Sequence, residues 1–195
     1  MPFNIPNLLT WLRIILIPLF VGIFYFEKNW ISLPNQNLVA TVIFVLAAVT
    51  DWLDGWLARR LNQTSAFGAF LDPVADKLMV AAALIVLLEL GRVQAIVVLI
   101  IIGREIAISA LREWMAQMGD SKSVAVSFLG KIKTVSQMVA IPLLLYDDLV
   151  GDFDPHIVGT WLIRVAAVLT LISMGYYLKM ALPQINKRMG NKGIS

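Results

Sequence analysis

Residues 37–90 read NLVATVIFVLAAVTDWLDGWLARRLNQTSAFGAFLDPVADKLMVAAALIVLLEL. Two apolar runs meet across a short polar connection, and each approaches the ~20 residues that an α-helix needs to cross a bilayer. Backbone groups in lipid must bond within their own segment, so helices are the expected form. The short connection makes the two helices antiparallel neighbours. Asp51 and Asp54 lie near the end of the first run, and Asp72 and Asp76 near the start of the second. All four carboxylates therefore fall at similar depth. A charge inside a span is costly and by default marks a functional site.

The same apolar texture runs through the rest of the chain. Of its 195 residues 59% are hydrophobic and 15% charged, and the mean hydropathy is +0.79, which points to lipid as the solvent. Six spans are predicted, at about Asn7–Phe26, Asn37–Ala58, Gly68–Leu90, Gln94–Met118, Lys131–Tyr146 and Ile157–Leu182. The fifth is short and has room to begin as early as Ser123. Met1–Ile5 reads as a short interfacial segment, with Pro6 close to the first helical turn. Glu27-Lys28-Asn29-Trp30 after the first span is not a small-residue cleavage site, so a removable signal peptide is not expected. The fold class is all-α, a bundle of six transmembrane helices. No repeat or long linker divides it, so one domain over residues 1–195 is expected.

Loop charges orient the bundle. Arg59, Arg60, Lys122, Lys187, Arg188 and Lys192 fall on one side, and Asp147, Asp148, Asp152 and Asp154 on the other. Positive residues mark the cytoplasm, so both termini and the connection holding the aspartates are expected there. The net charge of +3 fits cytoplasmic loops and anionic headgroups. No basic surface interleaved with aromatics suggests nucleic acid. With no cysteine, disulfides, thiolate metal sites and a cysteine nucleophile are excluded.

Helical periodicity groups the carboxylates. Asp51, Asp54, Gly55 and Ala58 share one stripe, and Gly68, Asp72 and Asp76 another. Glycine and alanine let backbones, or a ligand, approach closely. Four carboxylates without His or Cys suit a hard cation, Mg²⁺ or Mn²⁺, and without metal they would not all stay ionised at close range. Two ions between aspartates recur in phosphoryl-type transfer. Taken singly, Asp51 or Asp54 reads as a helix cap and Asp76–Lys77 as a local ion pair. The four together do not. An ion pathway is the competing reading, and the placement of all four toward one side argues against a through-path.

The acceptor of such a transfer must be read from other residues. Arg104 and Arg112 share a broad face of the fourth helix, and Lys131 and Lys133 open the fifth. Arg104 is deep enough to require a partner; Glu105, adjacent in sequence, is expected to face elsewhere. Paired arginines suit a phosphate monoester, whereas choline or ethanolamine would favour carboxylates or aromatics. For the two lysines, a positive-inside anchor is the competing reading.

The segment from Asp51 to Asp76 resembles the signature of the CDP-alcohol phosphotransferase family: D-x-x-D-G-x-x-A-R, eight residues, then G-x-x-x-D-x-x-x-D, with all eight specified positions present. The resemblance implies a six-helix membrane fold and attack of a hydroxyl on the β-phosphorus of a CDP-activated lipid, with CMP leaving. It implies that Asp51, Asp54 and Asp72 ligate metal, that Asp76 is both ligand and base, and that Gly55, Ala58, Arg59, Ser65 and Gly68 contact the CDP part. Asn4–Arg13 is similar to the family segment that lies on the membrane and helps close the nucleotide site, which assigns Asn7 and Thr10 to CDP-lipid binding; helix capping is the competing reading. Further stretches, Gly103–Ile106, Ser109–Trp114, Ser123–Val126 and Gly130–Thr134, look like the bacterial branch of the family that uses sn-glycerol 3-phosphate. That implies CDP-diacylglycerol as donor, phosphatidylglycerol phosphate as product, a bacterial inner membrane location and a homodimer. The lone His156 falls in the loop on the far side, so direct attack is expected and a phosphohistidine relay is not.

Overall fold

The structure is a computed structural model that describes residues 5–27, 29–61, 66–117 and 128–191. Its regular elements there are α1 (Ile5–Gly22), a 3-10 turn (Ile23–Tyr25), α2 (Leu33–Leu61), α3 (Ala66–Glu89), α4 (Ala95–Gln117), α5 (Phe128–Tyr146) and α6 (Pro155–Asn191). The helices sit where the apolar runs predict, but most extend beyond them. Ile5 already belongs to α1, and the rest of the Met1–Ile5 segment lies outside the described residues, as does Ser123. Helix α6 continues past Leu182 to Asn191, through Pro183.

Among the described residues, three helical stretches are long and apolar enough to cross a membrane: Leu8–Tyr25, Leu33–Leu53 and Pro155–Tyr176. A shorter apolar stretch, Ile132–Tyr146, lies in α5. Helices α3 and α4 carry Asp72, Asp76, Lys77 and Glu89, and Arg104, Glu105, Arg112 and Glu113. These are the charges that interrupt two otherwise apolar sequences. The chain is thus a helical protein with membrane-spanning character.

The chain divides into two compact units, residues 1–94 with 138–161, and residues 95–137 with 162–195. In the first, α1 packs against both α2 and α3, and α2 against α3. Phe20, Phe44, Leu84, Leu87, Ile141 and Leu144 are buried there, while Leu8, Leu19, Val42, Leu46 and Val49 are exposed. Thr10, Arg13, Gln36 and Asn37 are buried among them. Polar groups inside and apolar ones outside is the pattern lipid demands. In the second unit Ile101, Ile108, Ile163 and Ala166 form the core.

One arginine closes an end of the first unit. Arg92 follows α3, and its Nη1 donates to the carbonyls of Leu144 (3.0 Å) and Leu145 (2.8 Å) in the last turn of α5. Those carbonyls have no partner within their own helix. Its Nη2 donates to Asn37 Oδ1 at 3.0 Å, near the start of α2. Its Nε pairs with Asp147 Oδ2 at 2.9 Å, and Asp147 Oδ1 lies 2.6 Å from His156 Nδ1 in the first turn of α6. The Asp154 carboxylate caps α6 by accepting from the amides of His156 and Ile157. Part of the acidic loop is thus a fastening between helix ends. Gly159 adds to it: a Cβ there would meet Leu144 Cγ at 2.8 Å and the Ala140 carbonyl at 3.2 Å, so α6 approaches α5 through a missing side chain.

Candidate active site

Helix α1 reaches the aspartates from the side. Thr10 and Arg13 are one turn apart on it, which sets their Cβ atoms about 5–6 Å apart. The Thr10 hydroxyl donates to Asp72 Oδ1 on α3 at 2.5 Å, and Arg13 Nη1 to Asp51 Oδ1 on α2 at 2.6 Å. Aspartates from two helices are thereby drawn to one patch of α1. Arg13 also lines a narrow cavity of about 10 Å³ together with Asp76, Phe44, Ala47, Met79 and Met138. Such a volume holds about one water. Gly68, at the start of the α3 stripe, is buried.

Thr10 and Arg13 are each 1% exposed, whereas the Asp51 side chain is 39% exposed. The donors are fixed inside the unit while the carboxylate opens outward. Each bond uses Oδ1, and among the described residues Oδ2 of Asp51 and of Asp72 carries no hydrogen bond. Hard oxygen donors with one oxygen anchored and the other open fit a divalent cation. Among the described residues no three His, Cys, Asp or Glu side chains come together as a ready cation site. The side chain of Asp54 lies outside the described residues, as do those of Asn7, Ala58 and Arg59, although their backbones and that of Gly55 continue α1 and α2. Ser65 lies outside them altogether.

A shallow apolar groove of about 270 Å³ runs along α2 and α5, lined by Phe44, Ala48, Val49, Trp52, Met138 and Pro142. Trp52 brings its end next to Asp51 in sequence.

In the second unit Arg104, 7% exposed, donates through Nη1 to Glu105 Oε1 at 3.2 Å and through Nη2 to Ser173 Oγ at 3.3 Å. Lys133, 2% exposed, pairs with the same Glu105 oxygen. The expectation that Glu105 faces away from Arg104 is therefore corrected. Both side chains are long enough to meet although adjacent positions diverge around a helix, and two desolvated cations capture the nearest carboxylate. Ser173 in turn donates to the Thr170 carbonyl at 2.9 Å. The side chains of Arg112 and Lys131 lie outside the described residues.

Sequence reasoning misses Arg13. The signal is present, a charge within the first apolar span, and the rule that singles out the aspartates applies to it equally. Nothing in the sequence around Arg92 points to its acceptors, which lie 52 to 55 residues away.

Residues 3–172 match the CDP-alcohol phosphatidyltransferase family. Two relatives, from Shigella flexneri serotype 5b (strain 8401) and Escherichia coli (strain K12), are each called CDP-diacylglycerol--glycerol-3-phosphate 3-phosphatidyltransferase. Each is 51% identical over 183 residues, which is 93% of this chain and 96% of the relative. The match spans α1 to α5 and most of the apolar part of α6, with the aspartates and the α1 residues that hold them: the chain belongs to the CDP-alcohol phosphatidyltransferase family.

Proposed function

We propose that the chain is an integral membrane enzyme that moves the phosphatidyl group of CDP-diacylglycerol onto sn-glycerol 3-phosphate, giving phosphatidylglycerol phosphate and CMP. The observation that carries this reading is the 51% identity over 93% of the chain to relatives named for that reaction. The intact signature between Asp51 and Asp76 supports it.

Asp51, Asp54, Asp72 and Asp76 would hold two divalent cations, Mg²⁺ or Mn²⁺, whose chemistry when bound is to neutralise the diphosphate and the departing CMP. The chain's own residues do the rest. Asp76 takes the proton of the attacking hydroxyl. Gly55, Ala58 and Gly68 leave room for the nucleotide, and Asn7, Arg59 and Ser65 bind it. The groove along Phe44, Ala48 and Trp52 receives acyl chain from the lipid side, which its apolar lining supports. Arg104, Arg112, Lys131 and Lys133 grip the acceptor's phosphate. The sharing of Glu105 by Arg104 and Lys133 supports this, because it holds two buried cations together. Thr10, assigned by resemblance to the lipid nucleotide, acts there through Asp72, whose carboxylate it holds.

The topology proposed is six spans in a bacterial inner membrane, with both termini and the aspartates on the cytoplasmic side, as the loop charges favour. The homodimer is proposed on family resemblance alone.

The test uses purified protein in detergent with CDP-diacylglycerol, Mg²⁺ and radiolabelled glycerol 3-phosphate, comparing wild type with Asp76→Asn. Label entering lipid with stoichiometric CMP, lost in the variant, is the expected result. Folded wild type that releases CMP only with another alcohol keeps the chemistry and rejects this acceptor. Cation flux across sealed vesicles with no dependence on CDP-lipid would instead favour a transporter. Direct attack predicts inversion at a chiral β-phosphorus, and retention would rule it out.

A further inference from the structure

We infer that Arg13 is a positioning residue for the carboxylate site, aiming Asp51 at a divalent cation; this rests on reading the aspartates as a cation site. Three observations converge on it. Arg13 is fully buried in α1, where an unanswered guanidinium would be costly. Its Nη1 holds Asp51 Oδ1 at 2.6 Å across 38 residues of sequence, while the Asp51 side chain stays partly exposed. It also lines the same narrow cavity as Asp76. Thr10, one turn earlier, repeats the arrangement on Asp72. Helix α1 thus carries two buried donors, each fixing one oxygen of a carboxylate on a different neighbouring helix.

The rival geometry makes the guanidinium a substitute for the cation, filling its place and withdrawing when it binds. The packing opposes that. The cavity beside Arg13 has room for about one water, with Phe44, Ala47 and Met79 around it. That cavity has no room for a guanidinium displaced from Asp51. A fixed charge behind the carboxylates also moderates their mutual repulsion before any cation arrives. The two geometries predict opposite signs: loss of a positioning residue weakens cation binding, and loss of a substitute cation tightens it.

The experiment is a Mn²⁺ titration of the full chain in detergent, without substrate, read from the disappearance of the free-ion electron paramagnetic resonance signal. Arg13→Gln keeps much of the length and a donor but removes the charge; Arg13→Lys keeps the charge without the planar fork. Outer ligands of this kind typically change metal affinity by about 10–100-fold, so Arg13→Gln is expected to bind Mn²⁺ weaker by that factor, with Arg13→Lys recovering most of the loss. CMP release by Arg13→Gln should then return as Mn²⁺ is raised, which a misfolded protein would not do. Binding by Arg13→Gln equal to or tighter than wild type overturns the inference. If Arg13→Gln does not fold, Arg13→Lys decides: modest weakening supports positioning, and tighter binding refutes it. A wild type that takes up no Mn²⁺ overturns the cation reading and this inference with it.

Discussion

Arg92 Nε lies 2.9 Å from Asp147 Oδ2, and the same guanidinium holds Asn37 and the last carbonyls of α5. Lysine offers fewer donors and no planar fork. Breaking a buried pair by removing one partner costs about 3–5 kcal/mol, and partial exposure of Asp147 puts this pair at about the lower end. Arg92→Met should therefore lower the melting temperature in detergent by roughly 5–10 °C for a chain of this size, and Arg92→Lys by less. Both are measurable by the thermal shift of an intrinsic tryptophan signal.

Burial pushes the Arg92 guanidinium below its ordinary pKa, with Asp147 and Asp148 pulling it back up. For a base held lower in the folded state, stability rises with pH only where the unfolded arginine keeps a proton that the folded one has lost. That window is strongly alkaline. Across roughly pH 7.5–9 both states stay protonated, so Arg92 itself contributes no slope there. The melting penalty of Arg92→Met should be the same at the two ends of that range.

On the proposed reading, asparagine at Asp51, Asp54 or Asp72 keeps shape and removes a cation ligand. Each variant should lose activity by about 10²-fold or more, on the scale of electrostatic groups acting at transferring phosphates, while eluting as folded protein. Chelation of wild type should do the same and be reversed by added Mg²⁺. Thr10→Val leaves the ligands in place and frees Asp72, so a smaller loss of about 10-fold is expected. CMP release measures all of them.

Arg104 and Lys133 share the Glu105 carboxylate. A hydrogen bond to a charged group contributes about 1.5–3 kcal/mol, so Arg104→Ala should raise the KM for glycerol 3-phosphate by about 10–100-fold, with the KM for CDP-diacylglycerol little changed. Glu105→Ala is expected to fail differently. It strands two buried cations, so it should destabilise the fold before it alters either KM. Separate titration of the two substrates and a melting curve distinguish these outcomes.

Gly159→Ala places a methyl 2.8 Å from Leu144 Cγ and 3.2 Å from the Ala140 carbonyl. Leu144 is fully buried and the carbonyl belongs to a helix. Overpacking of this kind costs about 1–3 kcal/mol, so the melting temperature should fall, and Gly159→Val should lower it further.

The helices are legible because apolar length is a strong signal, and the aspartates because a charge in such a stretch stands out against its surroundings. Asp51 and Asp72 both reach one patch of α1, since a short connection leaves α2 and α3 little choice. What α1 does to them is not legible: Thr10 and Arg13 meet partners 62 and 38 residues away, and no periodicity encodes which helix face turns to which neighbour. Glu105 is misjudged when side-chain direction is treated as if it ended at Cβ. The acidic loop reads only as a topological marker, because Asp147 takes its meaning from an arginine two helices earlier.

Asn37 and Asp51 stand on the same helix, fourteen residues apart, which at 1.5 Å per residue is about 21 Å. The Arg92 fastening grips α2 at the first of them. Arg13 holds the same helix at Asp51, so the two arginines together fix its direction, and a tilt of about 3° at the first grip would move Asp51 by about 1 Å. Misplacement on that scale can cost a reaction about 10²-fold. On the proposed reading, a guanidinium about 21 Å along α2 from Asp51 bears on the alignment of the cation site while touching neither substrate nor metal.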